Sequence, residues 1–98
     1  MIFVTGSILA NADNLEEILA LSLQHVRRSR TEPGCLAHAV HQDVENSLRL
    51  VFVEQWADRA ALAAHFAVPE SRAFAKAVRA LAVEPPTLNI YEAETIQL

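Results

Sequence analysis

The stretch EQWADRAALAAHF, residues 54–66, contains the junction of a strand and a helix that decides the fold. An apolar strand ends at Trp56, Asp58 can cap a helix, and the alanine-rich run that follows favours helical structure. His65 interrupts this run near its end. An indole and an imidazole therefore lie at the two ends of one corner, where they either fill a core or line a pocket.

Strand and helix signals alternate on both sides of this corner. Runs of β-branched and apolar residues predict strands, and apolar residues at helical spacing predict helices. The first helix is expected to begin at Asp13, with Glu16 at its third position as in a capping box. The predicted strands are 2–10, 35–43, 48–56 and 87–98, and the predicted helices run from Asp13 to about Arg30, from Asp58 to Phe66 and from Pro69 to about Ala82.

This order, β-α-β-β-α-β, predicts one α+β domain over residues 1–98 with the ferredoxin-like arrangement of four antiparallel strands. The strand at 48–56 carries large apolar side chains on both faces, for example Phe52 on one and Val53 on the other. A sheet with one wet face would alternate more cleanly. Since 52% of the residues are hydrophobic, we expect helices on one face and a second copy of the chain on the other, which predicts a homodimer.

Charge and hydropathy argue against two classes of partner. The net charge is −4 and the nearest thing to a basic run is RRSR at 27–30, which argues against nucleic-acid binding. Charged residues interrupt every apolar stretch before it reaches the roughly 18 residues of a membrane span. The first residues also lack the basic segment of a signal peptide, so we expect a cytoplasmic protein.

The cysteine and histidine pattern gives no metal or redox motif. The single cysteine, Cys35, excludes an internal disulfide and a CxxC site, and it is interpreted as a small buried hydrophobe. His38 and His41 are three apart on one strand, so they point to opposite faces and cannot share a metal. A site formed by His38, His65 and Glu54 is conceivable, but their spacing does not require one. The sequence predicts no bound metal or other cofactor.

Two residues of the corner each admit a structural and a functional interpretation. Trp56 shares a strand face with Phe52 and Glu54, where it either packs in the core or stacks on a flat aromatic substrate. His65 follows Leu62 by three positions and so faces inward. It is either a neutral histidine held by a backbone carbonyl or a base, because imidazole titrates near neutrality.

Three further residues also admit two interpretations. Glu54 is expected to be partly buried and paired, either to Arg49 or to an arginine of the partner, and it is a secondary candidate for the base. His38 faces either the pocket or the dimer interface. Tyr91 either supplies a phenol to the site or packs at the edge of the sheet.

Three short motifs resemble the antibiotic biosynthesis monooxygenase family. They are EPGCL at 32–36, EQWADRAALAAHF at 54–66 and PESRAF at 69–74, and the similarity runs from about Thr31 to about Leu81. Each motif alone is weak, but their order and spacing are specific. The resemblance implies a homodimeric α+β barrel with a pocket between the sheet and the helices of each protomer.

The resemblance also implies a range of activities. Several members of the family oxygenate quinols or polyketide phenols without metal, flavin or haem, whereas others degrade haem or isomerise small phosphorylated carbonyl compounds. One departure stands out, because polyketide-oxidising members carry an asparagine four residues before the tryptophan, where this chain has Phe52. A hydrogen bond to a substrate carbonyl is lost there, unless Thr5, Ser7 or Asn89 replaces it.

The resulting hypothesis is a cofactor-independent monooxygenase that acts on a small aromatic quinol or phenol with O2. Alternatives are an isomerase on the same scaffold, a haem-binding or haem-degrading protein with His65 as axial ligand, and a non-catalytic ligand-binding dimer. His65 is the predicted base or anion anchor and Trp56 the predicted stacking wall. The predicted substrate-binding residues are Phe52, Glu54, Leu62, His38 and Tyr91.

Overall fold

The structure is a computed structural model that describes residues 1–98. It contains four strands and three helices in the predicted order, with the second helical region split into two helices. The strands are β1 (Ile2–Leu9), β2 (Cys35–Asp43), β3 (Asn46–Trp56) and β4 (Thr87–Glu92), and the helices are α1 (Leu15–Ser29), α2 (Arg59–Ala67) and α3 (Pro69–Leu81).

The four strands form one antiparallel sheet in the order β2-β3-β1-β4, with the helices packed on one face. Alternate residues of β1 and β3 are buried against the helices, as expected for a sheet covered on one side. The predicted α+β, ferredoxin-like fold is confirmed. No helix is both long enough and apolar enough to cross a membrane.

Two apolar clusters lie between the sheet and the helices. The larger one joins α1, α3 and the middle of the sheet, and the smaller one lies under α2 at the end of the sheet where Trp56 is fully buried. Members of the larger cluster are Ile8, Ala10, Ile18, Val26, Leu50, Phe52 and Val78, and those of the smaller are Ile2, Val4, Trp56 and Leu62.

The two predicted helix caps have different outcomes. Asp58 caps α2 as predicted, because its carboxylate accepts a hydrogen bond of 2.8 Å from the backbone N–H of Ala61. The predicted cap at Asp13 is wrong, since α1 begins one residue later after Asn14. The side chain of Asn11 instead accepts the backbone N–H groups of Asp13 and Asn14, and the first of these is a donor that the predicted capping box would have used.

A glycine turn between α1 and β2 fixes the approach of α2. Gly34 has a φ of 81°, in the region that favours glycine. A Cβ at this position would lie 2.5 Å from the Cβ of Ala61, so only glycine permits the observed contact with α2. The turn thereby holds Glu32, which precedes it by two residues, beside the helix that carries His65.

The face of the sheet opposite the helices has no covering element in this chain. It presents Phe3 and Leu9 of β1 and Val51 and Val53 of β3, all of them only partly buried. The edge strand β4 is exposed along its whole length and ends at Glu92, so the final strand is shorter than predicted. We call the uncovered side the open face.

Candidate active site

A cavity of about 230 Å³ lies between the sheet, the end of α1 and helix α3. Its walls are mostly apolar, and Phe52 and Phe74 meet there edge to face with ring centroids 6.0 Å apart. Four ionisable side chains line the same cavity: His25, Glu54, His65 and Arg79. An apolar cavity with a few convergent polar groups is the usual form of a small-molecule site.

His65 is held in a single tautomer by Glu32. The Nδ1–H of His65 donates to Glu32 Oε1 at 2.8 Å, and the imidazole is 3% exposed. Because Nδ1 carries the proton of the neutral ring, Nε2 carries the lone pair. That Nε2 has no hydrogen-bond partner in the protein and is not sealed from solvent. His65 therefore offers a proton acceptor to the cavity.

His25 is held in the opposite tautomer by Arg28. A guanidinium has no acceptor, so Arg28 Nη2 donates to His25 Nδ1, at 3.0 Å, and the neutral ring carries its proton on Nε2. The same Nη2 donates to Ser71 Oγ at 2.9 Å, which ties α1 to α3. The His25 ring also stacks on Phe74, with centroids 4.1 Å apart and planes 6° from parallel.

Electrostatics keep His25 neutral. Burial lowers its pKa from 6.5 to about 3, and the nearby His38, His65 and Arg28 act in the same direction, whereas Glu54 opposes them. The His25 Nε2 has no partner within the protein and is not sealed from solvent. His25 therefore offers a neutral N–H donor to the cavity.

Glu54 is paired with Trp56 and His38. The Trp56 Nε1–H donates to Glu54 Oε1 at 2.9 Å, and His38 Nε2 lies 3.2 Å from the same oxygen. Burial alone would raise the pKa of Glu54, but these two neighbours and His65 outweigh it, so the pKa lies below its ordinary value. The predicted pairing with Arg49 is wrong, because odd spacing places Arg49 on the open face, where it meets Glu84 at 3.0 Å.

His38 lies behind the cavity with both ring nitrogens sealed from solvent. Neither nitrogen makes an aligned hydrogen bond, so the contact with Glu54 is electrostatic rather than a directed bond. The ring centroid of His38 lies 5.3 Å from that of His25 and 5.7 Å from that of His65. The three imidazoles form one cluster contributed by α1, β2 and α2.

This cluster also has the composition of a metal site. Each of His25, His38 and His65 can offer one ring nitrogen, and the three nitrogens lie within 4.8 Å of one another. Metal–nitrogen bonds of about 2.0–2.1 Å would bring tetrahedral ligands to roughly 3.3–3.4 Å, so a spread of 4.8 Å would have to contract. The Nδ1 lone pair of His25 is also committed to Arg28. The arrangement fits an oxygen atom or a water molecule better than a resident metal ion.

The structure brings together only part of the predicted site. Phe52, Glu54 and His65 line the cavity. Trp56 is completely buried behind His65, with ring centroids 4.6 Å apart, and it does not line the cavity. Its stacking on a substrate stays a prediction. His38 is buried on the helix-covered face behind the cavity and does not line it, so its predicted contact with a substrate stays a prediction.

Two predicted substrate-binding residues lie elsewhere. Leu62 and Tyr91 line a separate groove between α2 and β4, and Tyr91 is 52% exposed on the edge strand. Cys35 was predicted to be a small buried hydrophobe, and it is partly buried against the smaller apolar cluster, where burial raises the pKa of its thiol.

The sequence analysis missed His25, Arg28 and Glu32. His25 follows Ile18 by seven positions, so it lies on the buried stripe of α1, and this spacing was available in the sequence. In the sequence, Arg28 is a favourable charge at a helix end and Glu32 is part of a helix stop. In the structure, Arg28 contacts His25 and Glu32 contacts His65. Only the tertiary structure shows those two contacts.

The family model of antibiotic biosynthesis monooxygenases matches residues 1–77. The chain belongs to this family. An uncharacterized protein of Synechocystis sp. is 37% identical over 95 residues, which cover 96% of this chain and 65% of the relative. The chain thus spans about two thirds of the length of that relative.

Solved structures of the family share the whole fold. A Deinococcus radiodurans protein, described as a candidate antibiotic biosynthesis monooxygenase, superposes with a TM-score of 0.94 at 26% identity, covering 100% of this chain and 98% of that one. A second structure, of an antibiotic biosynthesis monooxygenase, gives a TM-score of 0.88 at 27% identity and covers 97% and 100% of the two chains.

Proposed function

We propose that this chain is a cofactor-independent monooxygenase acting on a small quinol or phenol. His65 removes the hydroxyl proton, and the electron-rich anion that results passes electrons to O2. One oxygen atom then enters the ring and the other leaves as water, so the substrate supplies all the electrons that reduce O2. The observation that carries this proposal is His65 on the wall of an apolar cavity, with Nδ1 held by Glu32 and Nε2 without a partner in the protein.

The cavity supports a small substrate. A volume of about 230 Å³ is below the roughly 300–1,000 Å³ of sites for drug-sized ligands. One or two fused rings suit this space better than a polyketide of four rings. The aromatic walls formed by Phe52 and Phe74 suit a flat ligand, and exclusion of water strengthens the electrostatic contacts inside.

We further propose that the enzyme is a homodimer formed through the open face. The partly buried valines and Phe3 on that face support this assignment, since a second sheet would cover them. Family membership supports it as well.

Oxygen uptake with 1,4-naphthohydroquinone tests the activity. The protein should consume O2 faster than the uncatalysed autoxidation and release a hydroxylated quinone. Conversion of a substrate without O2 uptake would indicate the isomerase alternative. A Soret band on haem titration, together with no quinol turnover, would indicate the haem-binding alternative.

A further inference from the structure

We propose that the inner end of the cavity is a binding site for a deprotonated oxygen, in which His25 Nε2–H donates to the oxygen that His65 deprotonates. The ligand class is a phenolate or an enolate. Arg28 acts as the positioning residue that keeps the proton of His25 on Nε2. The catalytic part of this inference rests on the proposed function, but the preference for an anionic ligand does not.

The two histidines present opposite hydrogen-bonding groups to one space. Glu32 fixes His65 with an acceptor on Nε2, whereas Arg28 fixes His25 with a donor on Nε2. Their ring centroids are 5.2 Å apart, and both rings line the same cavity. A hydroxyl group needs one acceptor for its proton and one donor for its oxygen, and this pair supplies both.

The proton transfer balances within these groups. The O–H bond of the ligand breaks and its proton forms a bond with His65 Nε2. The resulting imidazolium is paired with Glu32 at 2.8 Å, so the new positive charge is compensated at once. The oxygen keeps the electron pair and accepts the N–H of His25. No oxidant or reductant takes part in this step.

A neutral N–H donor suits this task. His25 is fixed before the ligand arrives, by Arg28 on one side and by the Phe74 ring below it. Preorganised donors in a dry site stabilise developing negative charge without reorganising. Because burial lowers the pKa of His25 to about 3, its ring stays neutral near pH 7 and presents a single N–H, on Nε2.

Other charged groups limit where the anion can lie. Arg79 on the α3 wall and Arg28 behind His25 favour an anion, although Arg28 is also 3.7 Å from the carboxylate of Glu32. The carboxylate of Glu54 on the cavity wall opposes one. Glu54 Oε1 is engaged by Trp56 Nε1–H and contacted by His38, which moderates its effect. The oxygen is therefore expected on the side of His25 and His65, away from Glu54.

The proposal is tested with 4-nitrophenol, whose ionised form absorbs at a longer wavelength than its neutral form. Binding to chelator-treated protein, followed by absorbance between pH 5 and 8, gives the ionised fraction of the bound ligand. We expect wild-type protein to favour the phenolate by roughly tenfold or more over the free ligand at equal pH. Binding of the neutral form alone, or no binding at millimolar concentration, would overturn the proposal.

Two variants and a matched control identify the donor. His25→Phe keeps a ring against Phe74 but removes the N–H, and Arg28→Met releases the tautomer, so both should lose most of the phenolate preference. Arg27→Met removes the neighbouring, exposed arginine of the same helix and should keep it. If His25→Phe does not fold, the difference in phenolate preference between Arg28→Met and Arg27→Met tests the positioning role of Arg28. Equal phenolate preference in Arg28→Met and wild type would contradict the positioning role.

The two proposals fail in different ways. Phenolate preference without O2 uptake from any quinol would leave the anion site standing and remove the oxygenase. O2 uptake without phenolate preference would leave the oxygenase standing and remove the anion site.

Discussion

Glu32 and His65 are 33 positions apart, yet Glu32 Oε1 and His65 Nδ1 lie 2.8 Å from each other. This contact joins the loop after α1 to the last turn of α2. It fixes the tautomer of the imidazole and leaves the opposite nitrogen free. In metal-free and metal-containing sites alike, a carboxylate on one ring nitrogen orients the other toward its ligand.

Replacing His65 tests the base directly. His65→Ala should lower kcat for quinol oxidation by roughly 10²-fold or more, because general-base catalysis contributes about that much. Lys76→Ala removes an exposed lysine of α3 and is the control. Steady-state O2 uptake and a thermal melt should be measured on both. A fully active His65→Ala protein would show that the imidazole is structural.

Trp56→Phe separates the two interpretations of the indole. The substitution keeps an aromatic ring but leaves Glu54 without its aligned donor, so we expect a loss of about 1–3 kcal/mol in the free energy of unfolding. Urea unfolding measures this loss. A rise in KM at unchanged stability would instead support direct stacking of Trp56 on the substrate.

The low pKa of His25 predicts an acid-sensitive fold. The pKa of His25 is 6.5 in the unfolded chain and about 3 in the folded protein. Between these two pH values only the unfolded chain protonates this histidine, so the free energy of unfolding falls as pH falls. From pH 6.5 to pH 5 this contribution is about 2 kcal/mol. Urea unfolding at pH 7 and pH 5 should show a smaller difference in His25→Phe than in wild type.

The control for this pH experiment is Arg27→Met, at an exposed arginine of the same helix, which should retain the wild-type difference. The pKa of Glu54, lowered from 4.5, adds acid sensitivity only in a lower window, because its stabilising ionisation is lost as pH falls through the folded value. Equal pH dependence in wild type and His25→Phe would contradict the assignment to His25.

Metal removal should leave turnover intact. Since the three imidazole nitrogens would have to contract to ligate an ion, we expect O2 uptake to survive dialysis against a chelator. Metal analysis before and after dialysis accompanies the assay. Loss of activity that returns on adding one specific metal would show that the cluster is a metal centre and would replace the cofactor-free mechanism.

Assembly is tested on the open face. Wild-type protein at micromolar concentration should sediment at twice the chain mass of 10.8 kDa. Val53→Lys places a charge in the centre of that face and should give monomers, because an unpaired charge in an apolar interface is costly. Val44→Lys alters a fully exposed valine in the β2–β3 turn and should remain dimeric. A wild-type monomer would leave the dimer without support.

The fold was predictable because its signals are local. The period-2 pattern of β3, the cap at Asp58 and Pro69 at the start of α3 each act over a few residues, and the strand β2 was predicted with its observed bounds. The error at Asp13 arose from a side-chain turn that competes with a cap. The site was less predictable, since the contact of His25 with Arg28 is hidden among ordinary helix residues.

The site draws its groups from α1, the turn after it, β3 and α2, and none of these segments contains an acceptor and a donor that face each other. Partial structures that hold one hairpin or one helix therefore contain no functional site. The proposed enzyme activity is for this reason a reporter of the last step of folding. In a refolding experiment, turnover should return only when the helices have docked on the sheet, later than the recovery of secondary structure by circular dichroism.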